Sequence, residues 1–355
     1  MIGRLAALIA GMALAAGANA ALTFSTFVST GDLSSTLSNN ATIGFAYAGS
    51  KFVGSVYFGT NNNQLYQTDL NGGSVATFGA PMIGASGEIY VSSSLGLGGF
   101  GLRDVFAGPE NQSTVYKFNN DGTGQTAFVT SGATIVGGVR SIAFDPYGLY
   151  GFDMIVATNA GNIYRVDAVG HATLLASVGE DAEGLSFAPQ SVGPDVPSGT
   201  LVVASEGSGN LRAISPLGAV KIIANVGSAE MVSFVPLNLG VSGNPLEGFY
   251  AANYALDVIK APATDFSAYL GDIIVTGETT HNVTDLHWNG STFVSTLIGI
   301  FPNQPEDGIF VTAAILNPGC EQTNTCGASV PEPATVALLG IGLAGLGLRR
   351  RKRAR

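Results

Sequence analysis

Apolar residues in this chain come in short bursts separated by turn-forming stretches, not at helical spacing. Five bursts, Val56–Thr60, Val105–Pro109, Met154–Thr158, Leu201–Ser205 and Phe249–Asn253, start 47 to 49 residues apart. Each is followed by a second, shorter one: Leu65-Tyr66, Val115-Tyr116, Ile163-Tyr164, Leu211-Arg212 and Val258-Ile259. Asn- and Gly-rich residues lie between the two, which predicts a hairpin. A third burst follows, as in Ala172–Ala176 and Val220–Ala224, and a fourth ends in an aromatic: Ile142-Ala143-Phe144, Leu185-Ser186-Phe187, Val232-Ser233-Phe234 and Leu286-His287-Trp288. Four short strands in a unit of this length predict one blade of a β-propeller. A single blade cannot bury both of its faces, so neighbours must stack.

The ends of the pattern suggest how a ring closes. Phe45–Val53 matches Leu286–Val294, and Tyr47 and Trp288 are 241 residues apart, five repeats. Counting Ile43–Tyr47 and Glu88–Val91, the aromatic-ending segment occurs six times. The last unit has Thr292–Thr296 and Gly308–Ala313 but no outer strand, and Leu22–Val28 near the N-terminus is the candidate to supply it. Such a strand would fasten the ring and cover an open edge. The expected body, residues 21–318, is an all-β, six-bladed β-propeller, with five or seven blades as alternatives. An N-terminal signal helix and a C-terminal transmembrane helix are expected to flank it.

Those flanks differ sharply in composition from the body. Arg4, the apolar run Leu5–Ala16 and Ala18-Asn19-Ala20 have the layout of a secretory signal peptide over residues 1–20. At the other end, Pro331-Glu332-Pro333 precedes an uncharged stretch carrying Ala334, Leu338, Leu339, Leu343, Leu346 and Leu348. Arg349, Arg350, Arg351, Lys352 and Arg353 follow, within a basic tail that ends at Arg355. The prolines stop upstream structure. Residues 334–348 are expected to enter the membrane as a helix of roughly 22 Å, and the basic tail to stay on the cytoplasmic side.

This tripartite end, covering residues 331–355, resembles the PEP-CTERM sorting domain of Gram-negative bacteria. The resemblance implies processing near Pro331-Glu332-Pro333 by an exosortase, a membrane cysteine peptidase. It implies export, a transient inner-membrane anchor, and release to the outer surface or the extracellular polysaccharide matrix. The body more loosely resembles extracellular propellers of the NHL and gluconolactonase kind, most clearly at Asp181-Ala182-Glu183-Gly184-Leu185-Ser186-Phe187. That second resemblance bears on fold more than on activity.

Charge narrows the partners. The chain carries 15 Lys and Arg against 25 Asp and Glu, but only eight of the basic residues fall between Ala21 and Val330. The body is therefore far more acidic than the net charge of −10 suggests. Nucleic acid and anionic surfaces would approach it against the field. Cys320 and Cys326 lie in a linker, residues 319–330, and are expected to form a disulfide once exported.

No sequence pattern of a catalytic site occurs. If the aromatic-ending segments are innermost, the residues leading into them ring one channel mouth: Gly87, Arg140, Glu183, Glu230 and Thr284-Asp285. Glu183, Glu230 and Asp285 could converge on one Ca²⁺, whose oxygen ligands suit carboxylates. Alternatively they are solvated residues, or Arg140 pairs with one of them. Asp69, Asp121 and Asp167, each just after a second strand, read as turn formers. The expected role is binding or structural, toward exopolysaccharide or an envelope protein. The alternatives are a Ca²⁺-dependent, lactonase-like hydrolase at the channel mouth, or a matrix filler without a ligand.

Overall fold

The structure, a computed structural model, describes residues 22–59, 62–323 and 325–326. After β1 (Ser25–Val28) and a capped helix α1 (Thr30–Leu37), the chain lays down sheets in succession. The first is β2 (Thr42–Tyr47), β3 (Phe52–Val56), β4 (Asn62–Thr68) and β5 (Ala76–Ile83). The second is β6 (Ile89–Ser93), β7 (Val105–Pro109), β8 (Tyr116–Phe118) and β9 (Thr126–Ala127). A short β10 (Ser131–Gly132) lies parallel to the outer strand of the third sheet, β11 (Val139–Phe144), β12 (Met154–Thr158), β13 (Asn162–Val166) and β14 (His171–Ser177). The fourth is β15 (Leu185–Phe187), β16 (Leu201–Ala204), β17 (Asn210–Ile214) and β18 (Val220–Asn225).

The chain then departs from the simple repeat. From β19 (Ala229–Phe234) it crosses to the next sheet to form β20 (Gly248–Asn253) and β21 (Asp257–Pro262). It returns to complete the fifth sheet as β22 (Ile273–Gly277), β23 (Asn282–Trp288) and β24 (Phe293–Ile300). Finally β25 (Pro305–Val311) crosses over again as the innermost strand of the sixth sheet, whose order is β25-β20-β21-β1. The N-terminal strand is therefore the outer strand of the sixth sheet, pairing with β21 through Ser25–Lys260 and Thr26–Ile259. Leu286–Trp288, expected innermost, is instead part of a third strand. The inner position falls to β25, whose Ile309-Phe310-Val311 carries the aromatic. The first unit is also displaced: β3 ends at Val56, where the periodicity placed the start of its strand.

Six apolar clusters, one between each pair of neighbouring sheets, show that the ring closes. Phe78, Leu65, Val105 and Phe118 fill the gap between sheets one and two. Phe249, Phe266 and Phe310 pack with Ile274 and Ile298 between five and six. Tyr250, Val258 and Val311 meet Phe45, Phe52 and Tyr66 between six and one. Period-two alternation sends Met154 and Val156 to one neighbour and Ile155 and Ala157 to the other. Both faces are apolar, so such strands read as unbroken hydrophobic runs. Near the axis the sheets approach closely at glycine. A Cβ on Gly44 would meet Ile89 O at 2.7 Å, and one on Gly184 would meet Glu230 O at 2.6 Å.

The expected C-terminal transmembrane helix, and with it the transient inner-membrane anchor, needs correction. Among the described residues no helix is long and apolar enough to cross a membrane. The described α-helices are α1, α2 (Ala313–Leu316) and α3 (Cys320–Thr323), the longest eight residues or roughly 12 Å, against a hydrocarbon core of roughly 30 Å. Residues 1–20, Pro331–Pro333, 334–348 and the basic tail lie outside the described residues. Cys320 and Cys326 are joined in a disulfide that packs against Ala313 at the end of the propeller.

Candidate functional site: two concentric rings at the channel mouth

The inner strands all enter from the same end of the channel, and four carry a glutamate within two residues of their start: Glu88, Glu183, Glu230 and Glu306. The third sheet contributes Arg140. Bulges between Val139 and Ser141 and between Ala229 and Val232 free Arg140 and Glu230 from ladder pairing. A second ring comes from the residues that follow the strands adjacent to these: Tyr57, Glu110, Asn159, Glu206, Tyr254 and Glu278. Tyr57 and Tyr254 meet edge to face, with centroids 6.5 Å apart.

Arg140 organises half of this mouth. Its guanidinium forms ion pairs with Glu88 on the second sheet and Glu183 on the fourth, with Asp181 Oδ2 at 3.4 Å and Glu110 Oε1 at 3.7 Å. It also lies over the Tyr90 ring, 5.4 Å from its centroid, and the Tyr90 hydroxyl donates to Glu88 at 2.9 Å. Burial opposes the arginine charge, but Tyr90, Glu88, Asp181 and Glu230 together outweigh it and hold its pKa above the usual value. One cation shared among several carboxylates does not neutralise each fully. Burial therefore still raises the pKa of Glu88 despite the contact.

In the other half, none of Glu230, Glu278 and Glu306 forms an ion pair with a Lys or Arg among the described residues. Glu230 is 3% exposed, and its Oε2 accepts no hydrogen bond. Burial pushes its pKa up to about 8 against the pull of Arg140, with Glu88, Glu206 and Asp181 adding to the rise. Glu278 is also pushed up to about 8, by burial and then by a hydrogen bond to Glu206 and the charge of Glu230. Glu306, 2% exposed, is raised well above the usual range by burial, Glu230, Glu88 and Glu278. Gln304 Nε2 donates to both Glu278 and Glu306, at 2.5 and 2.8 Å. Protons are thus held where charges would repel.

Of the sequence candidates, the structure brings Arg140, Glu183 and Glu230 together and leaves Asp285 apart. Asp285 belongs to β23, the third strand of its sheet, opposite Thr296 and Ile274. Its pKa is raised to about 7 by burial and then by Asp272, not by any group of the mouth. The three-carboxylate arrangement is corrected accordingly. Glu183 is engaged by Arg140 and Asp285 is on another strand, so the three carboxyls named from the sequence do not converge on one point. Spacing alone assigns the inner position to Leu286–Trp288 and so passes over Glu306. The recurring glutamate at the start of inner segments was the available signal.

The opposite end of the channel differs. A cavity of about 180 Å³ is lined by Tyr47, Phe144, Phe187, Phe234 and Phe310 and bordered by Ile315 of α2. Among the described residues, Arg103 and Asp307 are the only charged ones in its wall. Arg103 lies over the Tyr47 ring and donates to the Ile315 carbonyl, tying α2 to this end.

The rings and the closed circle of sheets define a six-bladed β-propeller with an acidic mouth. Residues 329–352 match the PEP-CTERM protein-sorting motif, which supports export to the surface and processing by an exosortase. No curated protein matches the chain. Among solved structures it resembles a chain of a nidogen/laminin complex, at 15% identity and TM-score 0.50, covering 75% of this chain and 83% of that one. It also resembles a provisionally named gluconolactonase, at 10% identity and TM-score 0.51, covering 81% and 84%. A streptogramin B lyase aligns at 13% identity and TM-score 0.48, covering 78% and 74%. At such identities these likenesses speak for the fold alone.

Proposed function

We propose that this is an exported binding protein that holds an exopolysaccharide or an envelope partner at the acidic mouth of its channel. The observation that carries this reading is the pairing of buried carboxyls, Glu230 and Glu306, with two rim tyrosines, Tyr57 and Tyr254. Tyrosine faces suit sugar rings, and carboxyls suit hydroxyl and ammonium donors. The sorting motif supports delivery to the place where such partners occur. A glycan array probed with the secreted protein tests the reading. Retention of a matrix glycan, lost in a Tyr57→Ala, Tyr254→Ala double variant, is expected, and an array with no retained glycan counts against it.

A second reading is a Ca²⁺-dependent, lactonase-like hydrolase. It draws on Glu183 Oε2 and Glu230 Oε2, both buried and without a hydrogen-bond partner. Calorimetric Ca²⁺ titration with a lactone-turnover assay separates the two. Stoichiometric metal binding abolished by Glu230→Gln, together with turnover, would favour the hydrolase.

A further inference from the structure

We infer that the half of the mouth formed by Glu230, Glu278 and Glu306 is a binding site for a primary ammonium group, carried by an amine-bearing sugar. The sugar part rests on the proposed function; the ammonium part does not.

One half of this mouth is already filled by a cation of the protein's own. Arg140 fills the side nearest the second, third and fourth sheets, held by Glu88 and Glu183 beneath and by Glu110 and Asp181 at the rim. Across the channel the same two-layer pattern recurs without an ion-paired Lys or Arg among the described residues. Buried Glu230 and Glu306 lie beneath, and Glu206 and Glu278 stand half-exposed above. Glu230 Oε2 is buried and accepts nothing. A buried carboxyl oxygen without a hydrogen-bond partner is costly, and a ligand N–H would satisfy it. The carboxyls are spread around a channel rather than gathered about one point. That arrangement suits an ammonium group with three diverging N–H donors. Tyr57, 40% exposed, and Tyr254 stand beside this half, where an aromatic face attracts an organic cation.

Protons follow from the same geometry. Groups acting on Glu230 are Glu88, Tyr90, Arg140 and Asp181 from one side and Glu206, Glu278, Glu306 and Asp307 from the other. With its pKa near 8, Glu230 is largely protonated at neutral pH. An arriving ammonium makes the ionised form favourable and expels a proton, so affinity rises as pH increases toward 8.

The test is calorimetry on the purified secreted protein with n-butylamine, glucosamine and a fully deacetylated chitosan trimer. N-acetylglucosamine and CaCl₂ serve as comparisons. Amine binding is expected to weaken at least tenfold in Glu230→Gln and in Glu306→Gln, with Asp121→Asn unchanged. Binding of n-butylamine, which stays an ammonium throughout this range, is also expected to weaken on going from pH 8 to pH 5.5, and N-acetylglucosamine is not expected to bind. Butylamine binding without any sugar binding upholds the ammonium site and removes the polysaccharide reading. Should the variants fail to fold, the unmodified protein decides: proton release makes the enthalpy differ between buffers of unlike ionisation heat. The inference is overturned by absence of amine binding, by affinity that both variants leave intact, by a buffer-independent enthalpy, or by Ca²⁺ binding that amines do not displace.

Discussion

Replacing Arg140 by methionine removes the one cation that Glu88 and Glu183 share while keeping much of its apolar stem. Its side chain is 10% exposed and that of Glu183 is 2% exposed, so water cannot take over the lost role. Breaking one partner of a buried ion pair costs about 3–5 kcal/mol. For a chain of this size that corresponds to a fall in Tm of roughly 5–8 °C. The deficit should depend on pH with a definite sign. Arg140 lowers the pKa of both Glu88 and Glu230, so its loss raises them further. A carboxyl whose folded pKa is raised binds a proton more tightly when folded, so its stabilising contribution is present at low pH and is lost as pH rises through the folded value. Thermal melts followed by circular dichroism should therefore show a small difference between Arg140→Met and the parent at pH 5 and a large one at pH 8.5. Adding Glu88→Gln and Glu183→Gln should restore most of the loss. A deficit equal at both pH values and not rescued by the glutamines would refute the electrostatic account and leave packing as the cause.

Other outcomes follow from the same geometry. The parent protein should itself lose stability between pH 5.5 and 8.5, because Glu230 and Glu278 near 8 and Asp285 near 7 hold protons that the unfolded chain releases; Tm measured across that range checks the sign. Removing residues up to Val28 strips β1 from the sixth sheet, and loss of Leu22 and Val28 with partly buried Phe24 and Phe27 should cost roughly 5 kcal/mol and expose the β21 edge, seen as a lower Tm and as aggregation by light scattering. Gly184→Ala forces a methyl against the Glu230 carbonyl and the Val232 amide and should cost about 1–3 kcal/mol by urea unfolding, whereas alanine at Gly227, which meets nothing within 4 Å, should cost less than that. Cys320→Ser with Cys326→Ser should leave the main transition nearly unchanged, because the loop is short and lies outside the ring; calorimetry showing a large fall in Tm would contradict this.

The blade repeat was legible because the second strand of each sheet is buried on both faces, which leaves a dense periodic signal. Met154–Thr158 and Leu201–Ala204 are strands where the spacing placed them. The turns after second-layer strands were legible too. Asp69 accepts from the amides of Asn71 and Gly73, and Asp167 from those of Val169 and His171. What spacing could not reveal was which sheet a strand joins. Phe249–Asn253 sits in correct period after Phe234 yet pairs with β25 and β21. An apolar strand with two buried faces fits either neighbouring sheet, and its choice is settled by contacts such as Phe249 with Phe310 and Tyr250 with Phe27 and Phe52. The mouth was half legible for that reason. Glu183, Glu230 and Arg140 follow from correctly placed strands, while Asp285 and Glu306 changed roles with the exchange.

The crossing of β20 and β21 into the sixth sheet sets a limit on how this chain can grow or shrink in its lineage. Duplicating or deleting a stretch of about 48 residues within the first four units adds or removes one whole sheet. The same event beyond Phe234 would take strands from two sheets at once and leave neither complete. Variation in ring size among descendants of this sequence should therefore be confined to its first two-thirds, with the last third inherited as a single indivisible block.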